Sequence, residues 1–266
     1  MPTCYRHPTR ETGVACSNCG RPICTDCMTP TTVGMRCPEC AKQRTRVVRA
    51  RAMGAAAPVA TQAIIAINVA VYLAELFTGS GFGSVGGTVY QHGALFGPLV
   101  AAGDWWRVVT SGFLHASFWH VGLNMVFVWF IGRALEPAIG TPRFVVAYGA
   151  SLLCGSFGVL LLEPSSVAVG ASGAAFGLMG ALIVEARSRG IDLWATGLIQ
   201  IALLNFAFTF IGANIAVGAH LGGFVGGVLV GVIYDQFDRR RLPREASLAA
   251  GVVLGLVAFA ASLAIA

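Results

Sequence analysis

The chain has 266 residues, of which 56% are hydrophobic and only 11% charged, and its mean hydropathy is +0.72. Soluble domains carry about a quarter charged residues, so most of this chain cannot coat itself with solvated groups, and a wholly soluble protein is excluded. The formal charge of +6 is also unevenly placed: nine of the 18 Lys and Arg lie in residues 1–51, and seven of the eight Cys lie in the first 40. A small, basic, Cys-rich head therefore precedes a large apolar body.

Residues 1–41 are predicted to form the head. They hold four dyads with the same two-residue gap: Cys4/His7, Cys16/Cys19, Cys24/Cys27 and Cys37/Cys40. That gap lets both side chains reach one metal, and eight ligands make two four-coordinate sites of the kind structural zinc prefers. Disulfides are disfavoured by the odd number of thiols beside one His and by the reducing compartment inferred below. A closed four-ligand site has no open position for a substrate, so the two zinc ions are expected to be structural. The short stretch between Cys19 and Cys24 does not suit two side-by-side sites. It predicts an interleaved pairing, with Cys4, His7, Cys24 and Cys27 on one ion and Cys16, Cys19, Cys37 and Cys40 on the other. This arrangement resembles a B-box-like cross-brace finger. Such a module folds on its metal; the sequence leaves open whether it meets a cytoplasmic protein partner or only caps the chain.

Residues 42–57 form a basic linker containing Lys42, Arg44, Arg46, Arg49 and Arg51. A basic segment before an apolar span is drawn to anionic lipid headgroups, so the positive balance requires no nucleic-acid partner and none is expected. The polar start of the chain does not read as a cleavable signal peptide.

Apolar runs long enough for a bilayer, about 17–25 residues, follow at 58–77, 113–135, 141–162, 169–186, 192–212, 214–234 and 246–266. Backbone groups in lipid must be satisfied within each segment, and strand-like alternation is missing, so the runs are expected to be helices. The fold class is therefore an all-α polytopic membrane protein. Cytoplasmic loops are enriched in Lys and Arg, which puts the head inside together with Arg133, Arg143, Arg187, Arg189 and Arg239, Arg240, Arg241 and Arg244. Only Arg107 falls in an outside link. The chain is thus expected to be a multi-pass protein with a cytoplasmic N-terminus, and its Ala-, Gly- and Arg-rich composition suggests a bacterial plasma membrane.

Ionisable and polar residues within spans are functional candidates by default. His120 and Asn124 are four apart and share one face of the second span, with His115 just before them. The fourth span opens Gly170-Ala171-Ser172-Gly173, and the sixth carries His220. Spans two, four and six run in the same direction, so Ser172, His120, Asn124 and His220 all fall in the outer part of the membrane. Together they supply a nucleophile, a base and polar donors, the parts of acyl-transfer chemistry. Small residues recur every four positions at Gly173, Gly177 and Ala181 and at Ala219, Gly223, Gly227 and Gly231. Such faces let helix backbones approach closely, which would bring His220 towards Ser172.

From about Trp105 to Gly231 the chain resembles the rhomboid intramembrane serine proteases. The resemblance rests on Trp106-Arg107, on His115, His120 and Asn124, on Gly170-x-Ser172-Gly173, and on Ala219-His220-x2-Gly223. It implies a six-helix core over 58–234, here followed by a loop at 235–245 and one extra C-terminal helix over 246–266. It implies Ser172 as nucleophile and His220 as general base and acid. His120 and Asn124, with the Ser172 backbone N–H, would form the oxyanion hole, and His115 would brace the site. Family members often place a Tyr four residues after the nucleophile; here Phe176 keeps the ring without the hydroxyl. With Glu75 in the first span, Asp104 in a loop, and Asp192 and Asp235 at the inner side, no carboxylate is placed to orient His220, so a dyad is expected rather than a triad. Catalysis would need no cofactor, and the substrates would be single-span membrane proteins cut near the outer face. A non-catalytic rhomboid-like protein that binds membrane segments is the alternative, although such proteins generally lose the Ser or the His. A transporter built on buried His would need charged groups along a whole path, which the inner halves of these spans lack. Asn205, in the fifth span, reads as a helix–helix hydrogen bond.

Overall fold

The computed structural model describes residues 1–32, 34–42, 57–82, 85–211 and 215–266. The chain divides into two compact units, Met1–Ala52 and Met53–Ala266, each taken here by itself. Most of the expected basic linker, residues 43–56 with Arg44, Arg46, Arg49 and Arg51, lies outside the described residues.

The head has little regular structure: an antiparallel hairpin of β1 (Thr29–Thr31) and β2 (Gly34–Arg36), a 3-10 turn at Thr25–Cys27, and the short helix α1 (Pro38–Lys42). Its interior consists of Cys4, Cys16, Cys24, Cys27, Cys37 and Cys40 around Ile23. One aliphatic side chain does not make a hydrophobic core, so the cysteines themselves must hold the unit together.

The body is helical. Its long elements are α2 (Val59–Phe77), α6 (Phe118–Ile139), α7 (Thr141–Leu162), α8 (Ser172–Ser188), α9 (Leu198–Ile211), α10 (Val217–Arg239) and α11 (Arg244–Ile265). Among the described residues between α2 and α6 the chain makes three short α-helices, α3 (Gly87–Gly93), α4 (Gly97–Ala101) and α5 (Arg107–Thr110), the last followed by a 3-10 turn at Ser111–Phe113. Buried Arg107 organises this stretch: its guanidinium donates to Asp104 Oδ2 (2.8 Å), Gln91 O (2.8 Å) and Ala94 O (2.9 Å).

Among the described residues, five helices are long and apolar enough to cross a membrane: α2, α6, α7, α10 and α11. The two remaining apolar segments are shorter than the sequence predicts, with 17 residues in α8 and 14 in α9. Local turn chemistry accounts for both. Gly170 takes φ +126° and the helix starts only at Ser172. Asp192 accepts the N–H groups of Trp194 and Ala195, an Asx turn that competes with helix, and α9 begins at Leu198. At the other end of the sixth run, α10 continues to Arg239.

Two features fix the helices around the site. The first is the contact of α8 with α10, where backbones nearly touch. A Cβ on Gly223 would lie 2.0 Å from Gly173 O, and one on Gly227 would lie 1.8 Å from Gly177 O. Only glycine permits that approach, and the small-residue stripes exist to allow it. The second is a set of polar clasps, centred on buried Glu136 and Arg143, at the opposite ends of the helices. Glu136, at the end of α6, accepts from Ala60 N (2.9 Å), Thr61 N (2.8 Å), Thr61 Oγ1 (2.7 Å) and Thr141 Oγ1 (2.9 Å). It thereby satisfies orphan N–H groups of α2 and places negative charge at that helix's positive end. Arg143 of α7 donates bidentately to Asp238 of α10 (2.8 and 2.8 Å) and to Ser247 Oγ of α11 (3.0 Å), with its guanidinium over the Tyr234 ring.

Candidate active site

The N-terminal ends of α6, α8 and α10 each deliver polar side chains. Ser172 is the first residue of α8, and His220 lies in the first turn of α10. Glycine-mediated contact of these helices puts Ser172 Oγ 2.8 Å from His220 Nε2. The Phe176 ring, one turn into α8, stacks on His220 at 4.1 Å between centroids with planes 12° apart, and Phe206 of α9 meets Phe176 edge-on at 5.0 Å. The imidazole is thus held between aromatic packing and a hydroxyl.

On α6, Ser117 caps the helix by accepting from His120 N (3.2 Å), which orients the first turn. The Ala116 N–H donates to His120 Nδ1 (3.3 Å). That nitrogen is therefore the acceptor, and in the neutral ring the proton sits on Nε2, leaving an N–H donor aimed away from α6's own backbone. Asn124, one turn on, is buried, and its Nδ2 has no hydrogen-bond partner among the described residues. Both donors face Gly170. A Cβ there would stand 2.8 Å from His120 Nε2 and 3.5 Å from Asn124 Nδ2, so the residue must be glycine for space as well as for its φ of +126°. An unpartnered buried amide beside a free imidazole N–H is costly unless something negative visits.

His115 is buried beside this pair. Its ring meets His120 at 5.2 Å, its backbone N–H donates to Glu75 (3.1 and 3.3 Å), and neither ring nitrogen has a partner among the described residues. Gly173 and Gly223 supply the helix contact. The structure therefore brings together Ser172, His220, His120, Asn124, His115, Gly170, Gly173, Phe176 and Gly223, the residues that the sequence assigns to the site and its immediate supports.

One participant escaped the sequence. Thr209 of α9 is buried, with its Oγ1 2.7 Å from His220 Nδ1. A lone Thr in an apolar helix carries no spacing signal. Asn205 differs from its expected role: its side chain bonds its own helix at Ile201 O (2.8 Å) rather than a neighbouring helix.

In the head, the eight predicted ligands form two clusters with the interleaved membership, Cys4, His7, Cys24 and Cys27 in one and Cys16, Cys19, Cys37 and Cys40 in the other. Within each cluster all ligand atoms lie within 4.8 Å of one another. A tetrahedral zinc with bonds of about 2.3 Å to sulfur sets thiolates about 3.8 Å apart. The Cys19–Cys37 Sγ distance is 3.8 Å, and His7 Nδ1 lies 3.3, 3.5 and 3.8 Å from the sulfurs of Cys24, Cys27 and Cys4. The donor sets therefore fit the ion. Backbone N–H groups favour the thiolate of one Cys in each cluster, whereas burial pushes Cys27 up to about 11. At Cys37 the Cys40 N–H acts downwards, but burial with the neighbouring thiols outweighs it and pushes Cys37 up to about 12. The Cys37 N–H, 3.3 Å from Cys16 Sγ, lowers that thiol to about 6. Burial pushes Cys4 up, but the N–H groups of Cys24, Arg6 and His7 outweigh it and bring it down to about 6.

A rhomboid domain model matches residues 102–237. Rhomboid protease GluP of Bacillus subtilis is 36% identical over 143 residues, covering 53% of this chain and 28% of GluP. A second Bacillus subtilis protein, YdcA, provisionally named a rhomboid protease, is 40% identical over 147 residues, 53% of this chain and 73% of YdcA. Rhomboid-like protease 3 of Toxoplasma gondii is 33% identical over 156 residues, 56% of this chain and 59% of its own length. The chain thus spans under a third of GluP, and the domain match lies wholly within the second compact unit. It contains Ser172, His220 and the donors on α6, and by that match the chain belongs to the rhomboid family.

Proposed function

We propose that the protein is an intramembrane serine endopeptidase that cuts the transmembrane segments of single-span membrane proteins near the outer face. The observation that carries this is the 2.8 Å contact of Ser172 Oγ with His220 Nε2 at the start of two touching helices. Ser172 attacks the scissile carbonyl as its proton passes to Nε2, and the electron pair of the C=O bond moves onto oxygen. The His120 Nε2–H, the Asn124 amide and the Ser172 backbone N–H donate to that oxyanion at the positive end of α8. Collapse expels the amine, which takes the proton from Nε2, and water then releases the acyl group by the same route. No metal or nucleotide enters these steps.

The reading extends to the rest of the chain. Six helices, α2 and α6 to α10, make the protease core, and α11 is an added seventh span. Residues 1–41 fold on two structural zinc ions, with Cys4, His7, Cys24 and Cys27 holding one and Cys16, Cys19, Cys37 and Cys40 the other. The basic flank and the arginines of the inner loops orient the head towards the cytoplasm of a bacterial cell.

The test is cleavage of a reporter transmembrane segment in proteoliposomes. Ser172→Ala and His220→Ala are each expected to lower the rate by at least about a thousandfold. Undiminished cleavage by either variant would falsify the mechanism.

A further inference from the structure

We propose that Thr209 is the positioning residue of the dyad: it fixes the tautomer of His220 by accepting a hydrogen bond from Nδ1–H, as a carboxylate does in a triad. The inference rests on the dyad reading above and goes beyond it by naming the third member.

The argument is one of proton accounting along a four-member chain. Ser172 Oγ lies 2.8 Å from His220 Nε2, His220 Nδ1 lies 2.7 Å from Thr209 Oγ1, and Thr209 Oγ1 lies 2.9 Å from Asn205 O. Asn205 O is a backbone carbonyl and has no proton to give, so the last bond runs from the Thr209 hydroxyl to the carbonyl. With its hydrogen committed there, Thr209 Oγ1 can only accept at the imidazole. His220 Nδ1 must then carry the proton, and Nε2 presents a lone pair to the Ser172 hydroxyl. Three hydrogens meet three acceptors, all in one direction. The reverse order would turn the Thr209 hydrogen to Nδ1, break the bond to Asn205 O, and leave the Ser172 hydroxyl without an acceptor among the described residues.

The surroundings make this polarity matter. Thr209 and His220 are 2% and 7% exposed, so solvent does not readily supply a competing partner, and each misplaced proton would be a buried unsatisfied group. When His220 becomes an imidazolium during attack, the Nδ1–H bond to Thr209 strengthens. A hydroxyl provides this orientation without placing a second charge in the apolar interior, where an ion is costly. Thr209 touches no reacting atom and acts only through His220. It also lies on α9, whereas the other site residues belong to α6, α8, α10 and the turns preceding α6 and α8, so His220 is oriented by a helix that carries none of them.

The experiment compares wild type, Thr209→Val, Thr209→Ser and Ser172→Ala as full-length protein, reading kcat, KM, Tm and the ¹⁵N signals of His220. Val matches Thr in shape and removes the acceptor. Thr209→Val is expected to lower kcat at least about tenfold with KM within about twofold, and to shift the His220 signals from Nδ1–H towards Nε2–H. Thr209→Ser, which keeps the hydroxyl, is expected to restore both. Wild-type kcat in Thr209→Val, an unchanged His220 tautomer, or an equal loss in Thr209→Ser would each overturn the proposal. Cleavage by Ser172→Ala would instead overturn the dyad reading, and the nitrogen signals would still report on Thr209.

Discussion

The two site histidines are the same residue in opposite roles, and the difference is set by what each Nδ1 meets. At His120 it accepts a backbone N–H from Ala116, so Nε2 is a donor; at His220 it faces Thr209, so Nε2 is an acceptor of the serine proton. One ring is therefore suited to steady an oxyanion and the other to take a proton. His120→Ala and Asn124→Ala are each expected to lower kcat by about 10²–10³-fold while Tm changes little, read in the reporter-cleavage assay with a parallel melt. A loss confined to KM would instead assign these side chains to substrate binding. The candidate nucleophile, base and donors were legible in the sequence because their order and span assignment are specific together. Thr209 was not legible. Its partner is fixed by how α9 lies against α10, and a single hydroxyl in an apolar run looks like any tolerated threonine.

At the scale of elements, apolar run length located every long helix, but its ends were decided by chemistry that hydropathy does not register. Gly170 delays α8, the Asp192 turn delays α9, and α10 runs on through its charged last turn. The glycine stripes were readable as small faces, although the partner of each glycine came only with the structure. Gly227 is the sharpest case, since a Cβ there would sit 1.8 Å from Gly177 O. Gly227→Leu is therefore expected to force α8 and α10 apart, costing at least about 1–3 kcal/mol of stability and most of the cleavage activity. Thermal melts in detergent alongside activity check this, and a wild-type Tm would mean that the helices do not need this contact. Glu136 was not singled out from the sequence, because a carboxylate near a span end reads as interfacial until its four donors are seen.

For the whole molecule, composition alone separated head from body, and the contacts draw the division at Ala52. The head's ligand spacing was legible because four identical gaps leave few ways to build two closed sites. Two zinc ions per chain are expected by elemental analysis, falling to about one in Cys24→Ser, because the two ligand sets share no residue. Zinc binds the deprotonated thiols, so acid titration is expected to release it as protons compete for the ligands, and a head that keeps its fold without metal would exclude the zinc reading. In the body, the clasp around Arg143 bears on the order of biosynthesis. Its partners Asp238 and Ser247 come 95 and 104 residues later in the chain. Until the ribosome has delivered them, that guanidinium lacks the two side-chain partners it holds in the folded chain. The tie that joins α7 to α10 and α11 can therefore close only once residue 247 has been made, so this corner of the bundle is set after α7 itself has been synthesised.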